Sequence, residues 1–492
     1  MKKKFIWMLA LMMGSACYAE DVTITYNGAK AKVKQVSKDS VTVKVQGANV
    51  TIESLYKDHK LTLLLKGKSN DGQLTLKTAG KAKIKLDNLN LTSQEGAPIY
   101  LKNKKKVEIV AHKGTENTLT VTACNDTVNH KGAVIWAKDK LLLSGKGVLN
   151  VIATGNGCRG IKTKKDITIE ELTLNVTTSG DNLGEKPFGF GGFPIPNDST
   201  MKGGFPNFPN FPMPNDSTMK GGFPGFPGFP GGKMPDFGSF PPFGNDSIEG
   251  GAGGGFGGKN KYVASTKGIA SKGKITINSG NVTVRTNTAG AEGIEGKLGV
   301  VFNGGNVDVM APDDAINANA IIEFNGANVI ARSTGNDAVD SNSEGGFFMP
   351  FGGNANQNTT PAIIIRGGTV FAWSQVGSPE EGMDCDFAPL AIEGGTVFTV
   401  GGGMGEMPSV PTNATAKQPT VLLIGLNVVK DEPIYVCDAN GKSFDTITVP
   451  FSMKRSASLV SSPAFVMGGT YTIKTKGYEK TFTIKENFTT VR

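Results

Sequence analysis

Acidic residues recur in step along the second half of this chain. Glu292, Asp314, Asp337 and Glu381 stand three residues before Glu295, Asn317, Asp340 and Asp384, and Asp313 adds a carboxylate beside Asp314. The third residue of each four-residue step is apolar (Ile294, Ile316, Val339, Met383), and the second is Gly or Ala. Aligned on the apolar residue, the first position runs Lys267, Glu292, Asp314, Asp337, Glu381 and the fourth Ala270, Glu295, Asn317, Asp340, Asp384. An earlier step, Arg159-Gly160-Ile161-Lys162, is basic at both ends. Carboxylates repeated at one place on successive turns of a stacked chain suit a hard cation. Ca²⁺ takes about 6 to 8 oxygens at about 2.3–2.6 Å and accepts irregular geometry.

Electrostatics strengthens that expectation. Equivalent positions on stacked strands lie about 4.8 Å apart, where two carboxylates repel by roughly 3–4 kcal/mol at an effective dielectric near 20. A cation bridging adjacent turns offsets the repulsion. The candidate calcium ligands are therefore Glu292, Glu295, Asp313, Asp314, Asn317, Asp337, Asp340, Glu381 and Asp384. The competing reading leaves them as solvated turn residues, splayed apart and screened.

Such a column needs elements that hold it in register, and the apolar residues supply them. Ile294, Ile316 and Val339 are 22 and 23 residues apart, a period that belongs to solenoids. Ile269 is followed by Ile275, Val282 and Val284, and Ile294 by Val300, Val307 and Val309, at the same offsets. Ile161, Ile167, Leu174 and Val176 repeat them upstream. Between strands stand Asn278-Ser279-Gly280-Asn281, Asn303-Gly304-Gly305-Asn306 and Asn325-Gly326-Ala327-Asn328. Gly and Asn tolerate left-handed backbone angles and so punctuate short strands. Short β-branched runs without amphipathic helices between them cannot close a βαβ sheet. The expected fold is all-β, a parallel β-helix over residues 86–415 with the apolar residues stacked inside.

Residues 20–85 read as an N-terminal β-cap of short alternating strands, and 416–492 as a small antiparallel C-terminal module with turns at Asn440-Gly441 and Gly468-Gly469. From 187 to 258 the composition collapses to Phe, Gly and Pro, with one segment repeated almost verbatim. Such a low-complexity insert has no aliphatic core and is expected to be disordered, interrupting the solenoid between the turns of Leu174 and Ile269. Residues 345–360 form a smaller insert of the same kind.

The chain opens with three lysines, an apolar stretch from Phe5 to Met13 and small residues ending at Ala19. This is the pattern of a secretory signal peptide over residues 1–19. Export is the expectation, with the protein secreted, periplasmic or at the cell surface. Cys17 lies in a sequence loosely like a lipoprotein box and is a candidate lipid anchor, and no later stretch is apolar enough to be a transmembrane segment. Without Lys2, Lys3 and Lys4, 49 of the 52 basic residues face 43 acidic ones. A basic face suits acidic polysaccharide or an anionic surface, but a lysine-rich sheet edge that discourages aggregation explains it more simply. Cys124 with Cys158, and Cys385 with Cys437, are within the reach of disulfides in an exported protein, and buried free thiols are the alternative.

Several stretches together resemble a known family: Gly114-Thr115-Glu116-Asn117-Thr118-Leu119, Gly145 to Val151 followed by Gly160-Ile161, the series from Gly268 to Asn342, and Ser461-Ser462-Pro463 with Gly469-Thr470-Tyr471-Thr472. The chain resembles the bacterial calcium-binding carbohydrate-binding domain family of the Cthe type, with its polysaccharide-lyase-like β-helix. The resemblance implies a right-handed parallel β-helix that binds Ca²⁺ and plant-type polysaccharide such as cellulose or polygalacturonate. Arg159 and Lys267 depart from it and speak against metal in their own turns.

Calcium on a β-helix is also the equipment of pectate-type lyases, in which Arg or Lys removes a proton beside a uronate carboxylate. Arg285 or Arg332 could be that base. Each could instead bind a uronate carboxylate or lie under a sugar, and Trp373 could serve as a sugar platform. The histidines His59, His112 and His130 all precede the acidic column, and no Ser/His/Asp grouping, phosphate loop or zinc spacing appears. No catalytic residue is assigned, and nucleic acid is not an expected partner. The sequence thus points to a non-catalytic polysaccharide-binding protein, with a calcium-dependent lyase and a structural or adhesive surface solenoid as alternatives.

Overall fold

The computed structural model describes residues 20–36, 40–124, 132–186, 261–342, 360–385, 388–403 and 408–492. The proposed leader, the whole of the Phe/Gly/Pro insert, nearly all of the second insert, and His130 lie outside them. One compact unit comprises Met1–Glu185 and Tyr262–Arg492 and contains everything discussed below. Every regular element among the described residues is a strand.

The chain passes in turn through three ladders of mostly parallel strands. In the tetrad ladder, Ala133–Ala137, Arg159–Thr163, Lys267–Ser271, Glu292–Gly296, Ile316–Ala318, Val339–Ser341 and Met383–Asp384 pair one with the next. A short-strand ladder includes Ile275–Ile277, Val300–Phe302, Ile322–Phe324, Ile363–Ile365 and Leu390–Ile392. A long-strand ladder includes Thr173–Thr178, Asn281–Thr286, Asn306–Ala311, Asn328–Ser333, Thr369–Ser374 and Thr396–Val400. Register runs through both inserts: Ile161 pairs with Ile269 and Leu174 with Val282, and Val329 pairs with Val370.

Period-2 alternation along the long strands sends one side inward, whereas the tetrad strands are buried on both faces. Ile294, Ile316, Val339, Val300, Ile322, Val309 and Ala331 are fully buried and line one continuous apolar cluster. Phe302 and Phe324 stack inside it with centroids 5.0 Å apart. Each Ile, Val or Phe side chain among them contributes roughly 1.5–3 kcal/mol by leaving water. The small residue before each interior Ile is a steric requirement. A Cβ on Gly293 would press into Val309 Cγ1 and the Ala315 carbonyl oxygen, and one on Gly268 into Val284 Cγ1.

The Asn/Gly turns divide their work. Gly280 and Gly305 take the left-handed backbone, with φ of 99° and 87°, whereas the asparagines stack. The Asn325 amide donates to Asn303 Oδ1 (2.8 Å) and Asn303 to Asn278 Oδ1 (2.9 Å). Beside them, Asn328 donates to Asn306 Oδ1 (3.0 Å) and Asn306 to Asn281 Oδ1 (2.9 Å). These asparagines are retained for side-chain hydrogen bonds between turns of the coil.

Parallel stacking begins earlier than residue 85. Val22–Asn27 already pairs in parallel with Leu61–Ser69, and Asn49–Ser54 with Gln73–Thr78. Antiparallel partners flank these first strands, Lys30–Gln35 against Val22–Asn27 and Val41–Gln46 against Asn49–Ser54. Lys30, Lys32 and Lys34 are exposed on the former, so charge guards that strand against foreign pairing.

Past the last turns, Thr420–Val428 pairs antiparallel with Met453–Ser461. Pro433–Cys437, Ser443–Thr448, Thr470–Thr475 and Tyr478–Thr483 make a four-stranded antiparallel sheet. A second apolar cluster built on Val421, Leu423, Ile434, Val436, Ile473 and Phe482 takes in Trp373, Phe398 and Val400 from the coil. Cys124 and Cys158 form a disulfide with Cα atoms 5.7 Å apart, and Cys385 and Cys437 are buried free thiols. No helix among the described residues is long and apolar enough to cross a membrane.

Candidate functional site

The tetrad ladder aligns the acidic column as its spacing predicts. Lys267 pairs with Glu292 and Ala270 with Glu295; Glu295 pairs with Asn317, Asn317 with Asp340, and Asp340 with Asp384. The residues are not splayed into solvent. Asp314 is 1% exposed, Asp340 4%, Glu295 5%, Asp337 7% and Glu381 8%.

Three kinds of partner meet these carboxylates. At the first acidic turn they are ammonium groups. Lys267 Nζ lies 2.9 Å from Glu292 Oε2 and 2.7 Å from Glu295 Oε2, and Lys297 Nζ lies 2.5 Å from Glu295 Oε1. In the next turns they are neutral amides. Asn317 Nδ2 donates to Asp314 Oδ2 (2.9 Å) and Asp340 Oδ2 (3.0 Å), Asn342 Nδ2 to Asp340 Oδ2 (2.7 Å), and Asn336 Nδ2 to Asp313 (2.9 Å) and Asp314. At the last turn they are backbone N–H groups and a hydroxyl. Glu381 N–H donates to Asp337 Oδ1 (2.5 Å), Ser409 N–H to Glu381 Oε2 (2.6 Å), and Ser409 Oγ to Asp384 Oδ1 (3.2 Å).

The titration of the groups follows these partners. Burial, then the charges of Asp314 and Asp384, push Asp337 up to about 9. Burial and Asp384 push Glu381 up to about 8. Burial and Glu295 also raise Glu292 against the pull of Lys267. Burial acts on Glu295 in the same direction, but Lys267 and Lys297 overcome it and hold that carboxyl well below the usual range. Burial works against the charge on Lys267, and the two glutamates more than restore it. Asp337 and Glu381 are thus held near carboxylate neighbours, and among the described residues their hydrogen bonds come from neutral N–H and O–H groups. Cys385, beside Asp384, is an inert thiol, its pKa pushed well up by burial and by that carboxylate.

Carboxylate oxygens of Glu292, Asp313 and Asp314 lie within 4.8 Å of one another. Oxygens each about 2.4 Å from one ion are at most about 4.8 Å apart, so this set fits calcium. Asn317, which joins Asp314 to Asp340, offers a neutral oxygen of the kind that ion also accepts.

Arg285, Arg332 and Trp373 lie on the long-strand ladder instead, away from the tetrad strands in chain order and pairing. The two arginines share one carboxylate. Arg285 Nη2 lies 2.5 Å from Asp308 Oδ2, and Arg332 Nη2 lies 3.0 Å from Asp308 Oδ1. Arg285 Nη1 also donates to the carbonyls of Asp308 (2.8 Å) and Val284 (2.9 Å). Arg332 Nε is buried without a hydrogen-bond acceptor among the described residues. Trp373 corrects the expectation of a sugar platform. It is 4% exposed, stacks on Phe371 at 5.8 Å and belongs to the second apolar cluster, so its face is spent on packing. Trp136 is likewise buried, against Tyr100 at 4.9 Å.

Asn336, Asn342, Asp308 and Ser409 join these sites beyond the residues that spacing points to, and Lys267, a departure in sequence, takes part in the column. Ser409 follows Asp384 by 25 residues, close to one turn of the coil, and that interval was the available signal. Asn336 precedes the tetrad residue Asp337 directly and bridges back to the previous turn.

Among known proteins, a family model described as carbohydrate-binding domain-containing protein matches residues 46–186 and 254–422. A carbohydrate-binding domain-containing protein of Acetivibrio thermocellus is 32% identical over 152 residues, 30% of this chain. The chain spans about half the length of that relative, 50%. A solved structure of the polysaccharide lyase-like protein from C. thermocellum, a gadolinium derivative, aligns with a TM-score of 0.40 at 19% identity over 63% of this chain and 90% of that one. The family model covers well over half of the residues, on both sides of the Phe/Gly/Pro insert, and the chain therefore belongs to the carbohydrate-binding domain family.

Proposed function

We propose that this is an exported protein that binds polysaccharide without cleaving it and is stabilised by Ca²⁺ held in the acidic column. The observation that carries the reading is the column itself. Carboxylates from successive turns are brought into register and buried, and Asp337 and Glu381 are so placed that they resist ionising. A divalent cation would relieve that cost, and Glu292, Asp313, Asp314, Asn317, Asp337, Asp340, Glu381 and Asp384 are the residues that would hold it. Family membership supports carbohydrate as the ligand class.

Plant cell-wall polymers such as cellulose or polygalacturonate are the proposed ligands, and the coil is taken as right-handed, as the family resemblance implies. The signal-peptide pattern at residues 1–19 supports a location outside the cytoplasm, secreted, periplasmic or surface-bound, with Cys17 as the lipid attachment point in the anchored case. Arg285 and Arg332 are suited to pairing with a uronate carboxylate. Their shared bonds to Asp308 favour anchoring over proton abstraction, which sets binding ahead of lyase chemistry.

The test is retention on insoluble cellulose and in polygalacturonate affinity gels, with Ca²⁺ and with EDTA, while ultraviolet absorbance monitors unsaturated uronate. Calcium-dependent retention with no rise in absorbance is expected. A steady rise would establish the lyase, and absence of retention on either polymer would remove these ligands from the account.

A further inference from the structure

We propose that Lys267 is a tethered counter-ion that stands in for a metal beside Glu292 and Glu295 and so sets the turn at which cation binding begins. The inference rests on the calcium reading of the column and concerns its boundary. Lys267 occupies the first position of its tetrad, one turn before Glu292, and is 5% exposed. Its ammonium group contacts one oxygen of each glutamate, at 2.9 and 2.7 Å. Lys297 contacts the other oxygen of Glu295 at 2.5 Å. Two lysines and two glutamates thus meet at the N-terminal end of the column, where the charge of Arg159 from the preceding turn also acts on Lys267 and Glu295.

The pattern changes beyond that set. Asp337 and Glu381 occupy the same tetrad position as Lys267 and Glu292, and their hydrogen bonds come from the neutral N–H groups of Glu381 and Ser409. Glu292 lies at the boundary. One of its oxygens faces Lys267, and its carboxylate also lies within 4.8 Å of Asp313 and Asp314 oxygens. An ammonium group is a compact point charge with three donors, so a side chain in this position can serve two carboxylates as an ion would. It also places positive charge where a second ion beside Glu292 and Glu295 would have to sit.

The test counts ions. Full-length protein and the Lys267→Met variant are stripped with chelator and dialysed to equilibrium against Ca²⁺ alone, and bound calcium per chain is measured with thermal unfolding alongside. The variant is expected to hold one more ion per chain than the wild type, with a midpoint lowered in EDTA and recovered in Ca²⁺. An unchanged count, or a variant that Ca²⁺ does not restore, overturns the inference. A Lys267→Met, Glu295→Gln double variant removes one charge of each sign and leaves the net charge unchanged. It should fold in EDTA with the wild-type count, and an extra ion there would also overturn the inference. Wild-type protein that binds no calcium, beside a single variant that binds one, would sink the calcium reading of the later turns and leave the role of Lys267 standing.

Discussion

Asp337 gives the column a measurable pH signature. Its carboxyl is pushed from 3.8 to about 9. A group whose folded pKa is raised stabilises fully below its unfolded pKa, and that stabilisation is lost as pH rises toward the folded value. Between 3.8 and about 9 the folded protein keeps the proton that the unfolded chain has released, at about 1.4 kcal/mol per pH unit. From pH 5 to pH 8 this amounts to about 4 kcal/mol, and relaxation and water entry around a buried group reduce it to about 2 kcal/mol. Asp337→Asn removes the titration and keeps the oxygen that accepts from Glu381 N–H. The assay is urea unfolding of both proteins in EDTA at pH 5 and pH 8. The variant should gain about 2 kcal/mol on the wild type between the two pH values, and the comparison cancels other titrating groups such as Glu381. A difference that stays constant from pH 5 to pH 8 would refute the argument that Asp337 is buried against its own charge. In Ca²⁺ at pH 8 the order should reverse, because the amide is a poorer ligand than the carboxylate.

Trp373→Ala should destabilise by about 3–5 kcal/mol and leave polysaccharide retention unchanged below its melting range, as scored by calorimetry and affinity gels; lost retention with unchanged stability would restore the platform. Gly293→Val should cost at least about 1–3 kcal/mol through overpacking against Val309 and the Ala315 carbonyl, read as a lower urea midpoint. Replacing Cys124 and Cys158 by Ser opens a loop of 34 residues and should cost roughly 3–4 kcal/mol, with the same loss on reduction of the wild type. Arg332→Met should weaken retention in polygalacturonate about tenfold or more, the worth of a charge-assisted bond of about 1.5–3 kcal/mol, and leave retention on uncharged cellulose as it was.

The column was legible because parallel stacking turns sequence spacing into spatial register. Once Ile294, Ile316 and Val339 are interior, the residues at fixed offsets from them must align, and Glu295, Asn317 and Asp340 do so. The start of stacking was less legible. Alternating residues such as those of Val22–Asn27 suit an antiparallel hairpin and a parallel ladder equally, and this strand makes both pairings. The fate of Trp373 depended on which surface the C-terminal strands would cover, which periodicity within the coil does not encode. Lys267 was visible as a basic residue in an acidic series, but its role required side-chain reach: the ammonium group spans to the next turn and meets two glutamates there. Asn278, Asn303 and Asn325 looked like turn formers because their type suits left-handed angles. Their stacked amides are a consequence of register, visible only after the coil is built.

The central claim is that the aligned carboxylates bind calcium, and the most direct measurement is thermal unfolding at neutral pH in EDTA and in Ca²⁺, for wild type and an Asp314→Ala, Asp337→Ala double variant. Ligand at about 100 times its dissociation constant stabilises the folded state by about 2.7 kcal/mol. The account predicts a calcium-dependent rise in the wild-type midpoint that the double variant loses. Equal wild-type midpoints with and without calcium would contradict it.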